Sequence, residues 1–293
     1  GEPFMDSSAI PSYYVSREAK KHVTVVLNGD GADELFGGYN RYLWARPLWD
    51  KFQWIPLSMR KALGVAMSSM PIGSLNLLGG MLPSKYQTTL LGDKVQRMGH
   101  RLKNIKNLDE LYFSFVGEEC QGLDIVKGVN RKPFRTKLDE SNPVLGILEF
   151  EQRMMLWDSL TYLTDDILTK VDRAAMGVSL ETRIPFLDKK VVEMSWRIPL
   201  DMKIKGGESK WILKQLLYDY VPRELIDRPK AGFAIPVGFW LKGPLRDWAE
   251  DLLNIKQMLL ISVYHKKGRE YFLLQVGPLF KVILKKHMEK IKK

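Results

Sequence analysis

The chain has 293 residues, of which 45% are hydrophobic and 27% charged, and its formal net charge is +11. This is an ordinary globular composition, long enough for one large domain or two small ones. No stretch approaches 18 uninterrupted apolar residues, so a membrane-spanning helix is not expected.

The single cysteine, Cys120, excludes an internal disulfide and a cysteine-based metal site. The first residues, Gly1 to Phe4, have neither the basic nor the apolar region of a secretory signal peptide. A reducing compartment suits a chain without disulfides, so the expected localisation is cytoplasmic.

The N-terminal elements are predicted as helix, strand, loop and helix. Ser7 and Ser8 are placed to cap a helix from Pro11 to about Lys20. The strand is Val23–Leu27, which is β-branched and nearly all apolar, as in a buried parallel strand. A glycine-rich acidic loop follows, and a helix begins near Ala32, which is the order of a doubly wound unit.

The rest of the chain shows helical spacing, for example over Trp44–Ser69, Asp165–Met176 and Lys210–Tyr220. No second strand of this apolar kind is found. A buried parallel strand needs neighbours on both sides. We therefore expect the remaining strands of the sheet to come from residues upstream of this chain.

The positive charge is concentrated at the C-terminus. Residues 255–293 contain ten Lys or Arg and two Glu, and Val282 to Ile291 places apolar residues along one face of a helix. The sequence therefore divides into a domain, residues 1–254, and a basic helical tail, residues 255–293. A docked amphipathic helix is the favoured interpretation, with a membrane surface or RNA as alternatives, and nucleic-acid binding is not expected of the protein.

The loop after the strand, Asn28-Gly-Asp-Gly31, is the densest chemical signal. It follows the carboxyl end of a strand, where α/β folds bind ligands, and its glycines allow close backbone approach. Asp30, Asp33 and Glu34 are oxygen ligands suited to Mg²⁺ beside phosphates. The alternative is an acidic turn that stabilises a helix N-terminus. The loop is neither a Walker A motif nor an EF-hand.

Four blocks in order give this loop a family context. Asn28-Gly-Asp-Gly-Ala-Asp-Glu-Leu-Phe-Gly-Gly-Tyr39 resembles the S-G-E/D-G-x-D-E-L-F-G-G-Y loop of the glutamine-hydrolysing asparagine synthetase family. The segments Thr161–Met176 and Leu180–Asp188 resemble its Y-L-x-D-x-L-x-K-x-D-R-x-S-M and E-x-R-x-P-F-L-D blocks. Gly206–Lys214, followed by Arg228–Phe233, resembles its C-terminal blocks.

The resemblance implies an α/β fold of the adenine-nucleotide alpha-hydrolase-like type. This chain would be the C-terminal part of that synthetase domain, mostly α-helical and with only a remnant of the parallel sheet. The family's enzymes use ATP and Mg²⁺ to convert aspartate into β-aspartyl-AMP and pyrophosphate. Ammonia released from glutamine by an N-terminal glutaminase domain then gives asparagine and AMP.

The resemblance also assigns roles to individual residues. Asn28, Gly29, Asp30 and Gly31 would line the ATP site, and Asp30 would help to deprotonate the attacking ammonia. Asp33 would hold Mg²⁺, and Lys210 would neutralise charge on the phosphates and the intermediate. Two departures stand out: Asn28 replaces the usual Ser, and Asp30, where many members have Glu, is shorter by one methylene.

Four further charged residues have two interpretations, and two tyrosines are assigned to packing. Asp172, Arg173, Glu181 and Arg183 either contact substrate or form a buried ion-pair network that fixes helix ends. Tyr39 and Tyr42 are expected to pack rather than to act as catalytic acids.

The family's S-G-G-x-D-S pyrophosphate loop and its N-terminal catalytic cysteine do not occur in this sequence. We therefore expect the chain alone to be inactive and its partners to be an upstream ATP-binding segment and a glutaminase domain. Open strand edges invite self-association, so a homodimer is a candidate arrangement. Two alternatives stay open: a relative acting on another carboxylate, such as a β-lactam synthetase or a polysaccharide-amidating enzyme, and a non-catalytic interaction module.

Overall fold

The computed structural model describes residues 6–80, 91–116, 146, 148–227 and 235–252. The first part contains α1 (Ala9–Lys20), β1 (Val25–Leu27), α2 (Ala32–Phe36), α3 (Asn40–Asp50), α4 (Leu57–Ser69) and α5 (Ile72–Gly80). The middle part contains α6 (Leu91–Asn104), α7 (Leu108–Val116) and α8 (Phe150–Leu160). The prediction of a mostly α-helical chain with a small parallel sheet is confirmed.

The last part begins with a π-helix, Tyr162–Leu168, followed by α9 (Thr169–Met176), β2 (Glu181–Arg183) and a 3₁₀ turn, Pro185–Leu187. Further helices are α10 (Lys189–Arg197), α11 (Leu200–Lys203), α12 (Trp211–Tyr218), α13 (Arg223–Ile226), α14 (Val237–Lys242) and α15 (Arg246–Leu252). None of these described helices combines the length and the apolar character needed to cross a membrane.

The chain divides into two compact units. The strand unit takes in Gly1–Ala32, Asp158–Arg197 and Lys214–Lys293, and the helical unit takes in Asp33–Trp157 and Ile198–Leu213.

The strand unit contains a parallel ladder of β1 and β2. Val25 pairs with Glu181 and Leu27 with Arg183, and the backbone N–H of Asn28 extends the ladder by donating to the Arg183 carbonyl (2.8 Å). The predicted strand is confirmed in a shorter form. The search for apolar strands did not find β2, because β2 reads Glu-Thr-Arg and carries none of the apolar signal of β1.

The side chains of β1 are unusually open for a parallel strand. Val25 is 45% exposed and Leu27 is 77% exposed, whereas parallel strands are normally covered on both faces. Within the described residues β1 has β2 as its one strand neighbour. The described part of the chain therefore covers the apolar side chains of β1 only in part.

Helix α1 begins two residues earlier than predicted, and Ser8 does not cap it through its side chain. The Ser8 hydroxyl instead donates to the Asp6 carboxylate (2.6 Å), which also accepts from the Ser8 backbone N–H (2.8 Å). Asp6 forms a further ion pair with Lys170 (3.0 Å), and α1 packs on α9. The carboxylate of Asp6 thus joins the start of α1 to α9.

The predicted helix over Asp165–Met176 is α-helical only from Thr169. The preceding turns, Tyr162–Leu168, form a π-helix. The Thr164 hydroxyl donates to the carbonyls of Leu160 and Thr161, both at 3.1 Å, at the point where the backbone changes its hydrogen-bonding period. A π-helical turn inside a helix is often found near a functional site.

The helical unit has its own apolar core, which contains Trp49, Phe52, Leu102, Ile105 and Leu111. The predicted continuous helix Trp44–Ser69 is wrong: α3 ends at Asp50, and α4 starts after Pro56, which cannot donate a backbone hydrogen bond.

Two contacts join α4 to α6 and the turn after it. The buried Arg60 of α4 donates from Nη1 to the carbonyl of Ile105 (3.0 Å), just beyond the end of α6. A Cβ on Gly64 would lie 2.5 Å from the Gly99 carbonyl oxygen, so the two helices cross in direct backbone contact.

Candidate functional site

The loop after β1 is held in shape by its own polar and glycine residues. The backbone N–H of Asp30 donates to Asn28 Oδ1 (3.2 Å), which forms a local turn. Gly31 has φ +85°, and a Cβ there would lie 2.8 Å from Leu187 Cδ2. A Cβ at Gly29 would meet nothing within 4 Å. The backbone at Gly29 is therefore open, between the hydrogen-bonded turn at Asn28 and the closely packed Gly31.

A cavity of about 460 Å³ lies along one face of the β1–β2 ladder and reaches the loop at the carboxyl end of β1. It lies within the strand unit, between α1, α9 and the β1–β2 ladder. Its polar lining includes two predicted site residues, Asn28 and Asp30, together with Lys170. The remaining lining residues are Ser8, Ser12, Val15, Ser16, Ala19, Val26, Leu27, Val171, Leu180 and Thr182. Ligands of α/β folds bind at this end of the strands.

Lys170 was not singled out in the sequence, and the structure places it in this cavity. Its side chain is 11% exposed and pairs with Asp6. Burial opposes ionisation of Asp6, but the hydrogen bonds from Ser8 and the Lys170 ammonium hold the pKa of that carboxyl below its usual value. Burial, reinforced by the charge of Asp6, raises the pKa of the Asp166 carboxyl. The signal available was the lysine of the L-x-K-x-D-R block, in the first turn of α9.

Asp33 and Lys210 lie side by side in the helical unit. The Lys210 ammonium lies 3.1 Å from Asp33 Oδ1, and the side chains are 29% and 26% exposed. Asp33 is in the first turn of α2, and Lys210 immediately precedes α12. The structure thus brings together two residues that are far apart in sequence and that were both predicted to serve the phosphate site.

Lys210 is positioned by a tight turn. Lys205 and Glu208 exchange two backbone hydrogen bonds (3.0 and 2.9 Å) across Gly206 and Gly207, which have φ of +60° and +80°. Positive φ at both central positions is typical of the two-residue type I′ turn. Lys210 itself has φ +52°, a left-handed conformation that costs about 1 kcal/mol for a residue with a Cβ. Such strain is often found at functional sites.

The same segment docks on the Gly-Gly pair that follows α2. Gly37 has φ +70°, and a Cβ there would lie 2.8 Å from Ile204 Cγ1. Burial lowers the pKa of the neighbouring Lys203, a fully buried residue, to about 8. The glycine therefore makes room for the residues that lead into the type I′ turn.

Glu34 is buried rather than offered to a ligand. It is 1% exposed, and its Oε1 accepts a hydrogen bond from the Tyr39 hydroxyl (2.6 Å). Tyr39 packs edge-on against Tyr42, which is 1% exposed. The packing roles predicted for both tyrosines are confirmed, and Glu34 is tied to the turn by the Tyr39 hydroxyl.

The four charged residues with two interpretations are all exposed. Arg183 forms an ion pair with Glu181, whose side chain is 51% exposed, and Asp172 and Arg173 lie on the exposed side of α9. In the described structure these four residues therefore do not form the buried ion-pair network. The last family block, Arg228–Phe233, lies outside the described residues, as do Cys120 and the basic tail.

No group of three or more metal-ligating side chains occurs among the residues that the structure describes. This still fits Mg²⁺ bound beside a phosphate chain, since that ion commonly takes one or two carboxylates and completes its shell with phosphate oxygens and water. Asp33 is a partly exposed carboxylate beside a lysine, which suits such a shared site.

The sequence matches known proteins over most of its length. The family model described as asparagine synthase matches residues 1–274. The glutamine-hydrolyzing asparagine synthetase 1 of Bacillus subtilis is 35% identical over 262 residues, covering 87% of this chain and 38% of that protein. A putative glutamine-hydrolyzing asparagine synthetase of Mycobacterium bovis is 35% identical over 267 residues, covering 87% of this chain and 36% of that protein.

A more distant relative is named an amidase, chyE of Penicillium rubens, and is 25% identical over 251 residues, which cover 79% of this chain and 35% of that protein. No solved structure matches the chain. The chain spans little more than a third of the length of these relatives. The resemblance carried by the four sequence blocks is confirmed by the family model and by two synthetases at 35% identity, and the chain belongs to the asparagine synthase family.

Proposed function

We propose that this chain is part of the synthetase domain of an ATP-dependent ligase that converts aspartate into asparagine with ammonia from glutamine. The observation that carries the proposal is the Asp33–Lys210 pair: the carboxylate of Asp33, just after the Asn28–Gly31 loop in sequence, lies 3.1 Å from the Lys210 ammonium. Family membership supports the same reaction and an adenine-nucleotide alpha-hydrolase-like fold.

Two bond exchanges make up the proposed reaction. An oxygen of the β-carboxylate of aspartate bonds to the α-phosphorus of ATP, and the bond from that phosphorus to the pyrophosphate oxygen breaks. Ammonia then bonds to the acyl carbon, and AMP leaves with the pair of electrons of the broken C–O bond. The proton lost by the attacking nitrogen passes to a base, for which Asp30 is the proposed residue.

The chain's residues would act mainly by positioning and by charge. Asn28 to Gly31 would line the nucleotide site, where open backbone at Gly29 permits close approach of a ligand. Lys210 would neutralise negative charge on the phosphates, and Asp33 would hold Mg²⁺. A bound Mg²⁺ would stabilise charge on the phosphate oxygens. Fixed charges of this kind supply much of the catalysis in transfer at phosphorus.

The proposal is tested by aspartate-dependent exchange of pyrophosphate into ATP, in this chain and in the protein extended upstream to its full synthetase region. Exchange is expected in the longer protein only. There, Lys210→Met should lower the exchange rate by about 100-fold, and Lys189→Met, at an 87% exposed side chain, should leave it unchanged. Loss of rate in both variants, or in neither, would contradict the role of Lys210.

The relative named an amidase favours a second candidate, in which the same adenylation chemistry acts on a different carboxylate. A panel of amino and carboxylic acids in the exchange assay separates the two. If no acid supports pyrophosphate exchange in a folded protein with its upstream region present, a non-catalytic homologue is favoured instead.

A further inference from the structure

The Asp33–Lys210 pair lies directly against Gly38. A Cβ built on Gly38 would overlap both the Oδ1 atom of Asp33 and the Cε atom of Lys210. Gly38 is buried, and its backbone N–H donates to the Asp33 carbonyl at 2.8 Å. The two charged side chains therefore occupy the space in which a side chain at position 38 would stand.

The reason for a glycine differs between Gly37 and Gly38. Gly37 has φ +70°, a conformation that disfavours any residue with a Cβ. Gly38 is not among the residues with positive φ, so an alanine could adopt its backbone conformation without strain. The Cβ of an alanine at position 38 would instead clash with the side chains of Asp33 and Lys210.

We infer that Gly38 is a positioning residue, whose missing side chain lets Lys210 reach Asp33 and present its ammonium at the phosphate site. The inference rests on the proposed function for its catalytic consequence, but the geometry of the pair can be measured without any substrate. Gly38 would act through Lys210 and would not contact ATP or aspartate itself.

The first test measures the accessibility of the Lys210 amine by acylation of the full-length protein, followed by quantitative peptide mass spectrometry. Pairing with a carboxylate slows acylation, because the Asp33 side chain shields the amine of Lys210 from the reagent. Gly38→Ala is expected to raise the acylation rate of Lys210 several-fold, while Lys189, whose side chain is 87% exposed, serves as an internal standard. The matched control is Gly73→Ala, because a Cβ at Gly73 meets nothing within 4 Å. An unchanged rate at Lys210 in folded Gly38→Ala protein would overturn the inference.

The second test covers the case in which Gly38→Ala lowers stability. The melting temperature is measured for Gly38→Ala in the wild-type background and in a background carrying Asp33→Ala and Lys210→Ala. If Gly38 is needed only to accommodate these two side chains, its substitution should lower the melting temperature in the first background and leave it unchanged in the second. An equal drop in both backgrounds would show that Gly38 serves the fold in another way.

The third test is kinetic and separates this inference from the proposed function. In pyrophosphate exchange, the rate losses of Gly38→Ala and Lys210→Met should not multiply. The double variant should be as slow as Lys210→Met alone, since residues that act as one unit have non-additive effects. Multiplied losses would contradict action through Lys210. If the wild-type protein shows no exchange, the proposed function fails, and acylation still decides the role of Gly38.

Discussion

The helix pair α4–α6 and the strand pair β1–β2 are held together in different ways. In the helix pair, a Cβ on Gly64 would lie 2.5 Å from the Gly99 carbonyl oxygen and one on Gly99 would lie 2.8 Å from that of Gly64. In the strand pair, backbone hydrogen bonds form the ladder while Val25 and Leu27 stay largely open. Side-chain volume is therefore tightly limited in the first pair and loosely limited in the second.

The largest effect is expected at the helix crossing. Gly64→Val should lower the free energy of unfolding by about 3 kcal/mol, because the added side chain must push α4 away from the backbone of α6. Urea unfolding followed by tryptophan fluorescence measures the loss. Gly73→Val, in the open part of α5, is the matched control and should stay within about 0.5 kcal/mol of wild type. Similar losses in the two variants would show that the crossing is not tightly packed.

An effect of similar size is expected from pH at Lys203, a buried residue of the helical unit. Its folded pKa of about 8 is below its ordinary value of 10.5, because burial disfavours the charged form. Between these values the unfolded chain binds more protons, so the free energy of unfolding should rise with pH, by about 3 kcal/mol in total.

Comparison with variants isolates this contribution. Lys203→Met should remove the rise between about pH 8 and pH 10.5, while Lys205→Met, at an exposed neighbouring lysine, should keep it. Parallel pH profiles in all three proteins would mean that Lys203 is not the group responsible.

A smaller loss is expected at Arg60. Arg60→Met removes the hydrogen bond to the Ile105 carbonyl and the cation that lies 5.3 Å from the Trp49 ring centroid. Loss of a charged hydrogen-bond donor at a buried carbonyl should cost about 2 kcal/mol. Urea unfolding measures this loss, and Lys61→Met, one residue further along α4 and exposed, should be close to neutral. A neutral Arg60→Met would mean that water replaces the guanidinium at this carbonyl.

The smallest effect in this chain is expected on β1, where the comparison can be sharpened most. Val25→Thr should change the free energy of unfolding by less than about 0.5 kcal/mol, because the side chain is 45% exposed. In a longer protein whose upstream residues cover β1, the same substitution should cost about 1 kcal/mol, since it buries a hydroxyl. Equal effects in both proteins would mean that β1 stays uncovered.

The two strands also show which part of the fold the sequence could predict. Val23–Leu27 has a local apolar pattern, and β1 was found within it. Glu181–Arg183 has no such pattern, and its extended conformation depends on pairing with a strand distant in sequence. The π-helical turn over Tyr162–Leu168 was missed for a similar reason, since spacing of apolar residues does not distinguish it from an α-helix.

The site shows the same division between local and distant information. The turn at Asn28 and Gly31 was predictable from residue types, and it forms as an Asn-bonded turn with positive φ at the glycine. The approach of Lys210 to Asp33 was not predictable from spacing, and the family resemblance implied only that Asp33 would hold Mg²⁺ and Lys210 would neutralise the phosphates. The environment of Glu34 could not be predicted from residue type, because its carboxylate is buried against the Tyr39 hydroxyl.

The parallel ladder has a consequence for the order in which the protein is made and folds. Val25 pairs with Glu181, 156 positions further along the chain. At a synthesis rate of about 5–20 residues per second, β1 leaves the ribosome roughly 10 to 30 s before its partner exists. During that interval an apolar strand has unpaired edges, which favour non-specific pairing with other chains. The loop at Asn28 can be fixed to the Arg183 carbonyl only after this delay, so the turn that follows β1 is among the late contacts of folding.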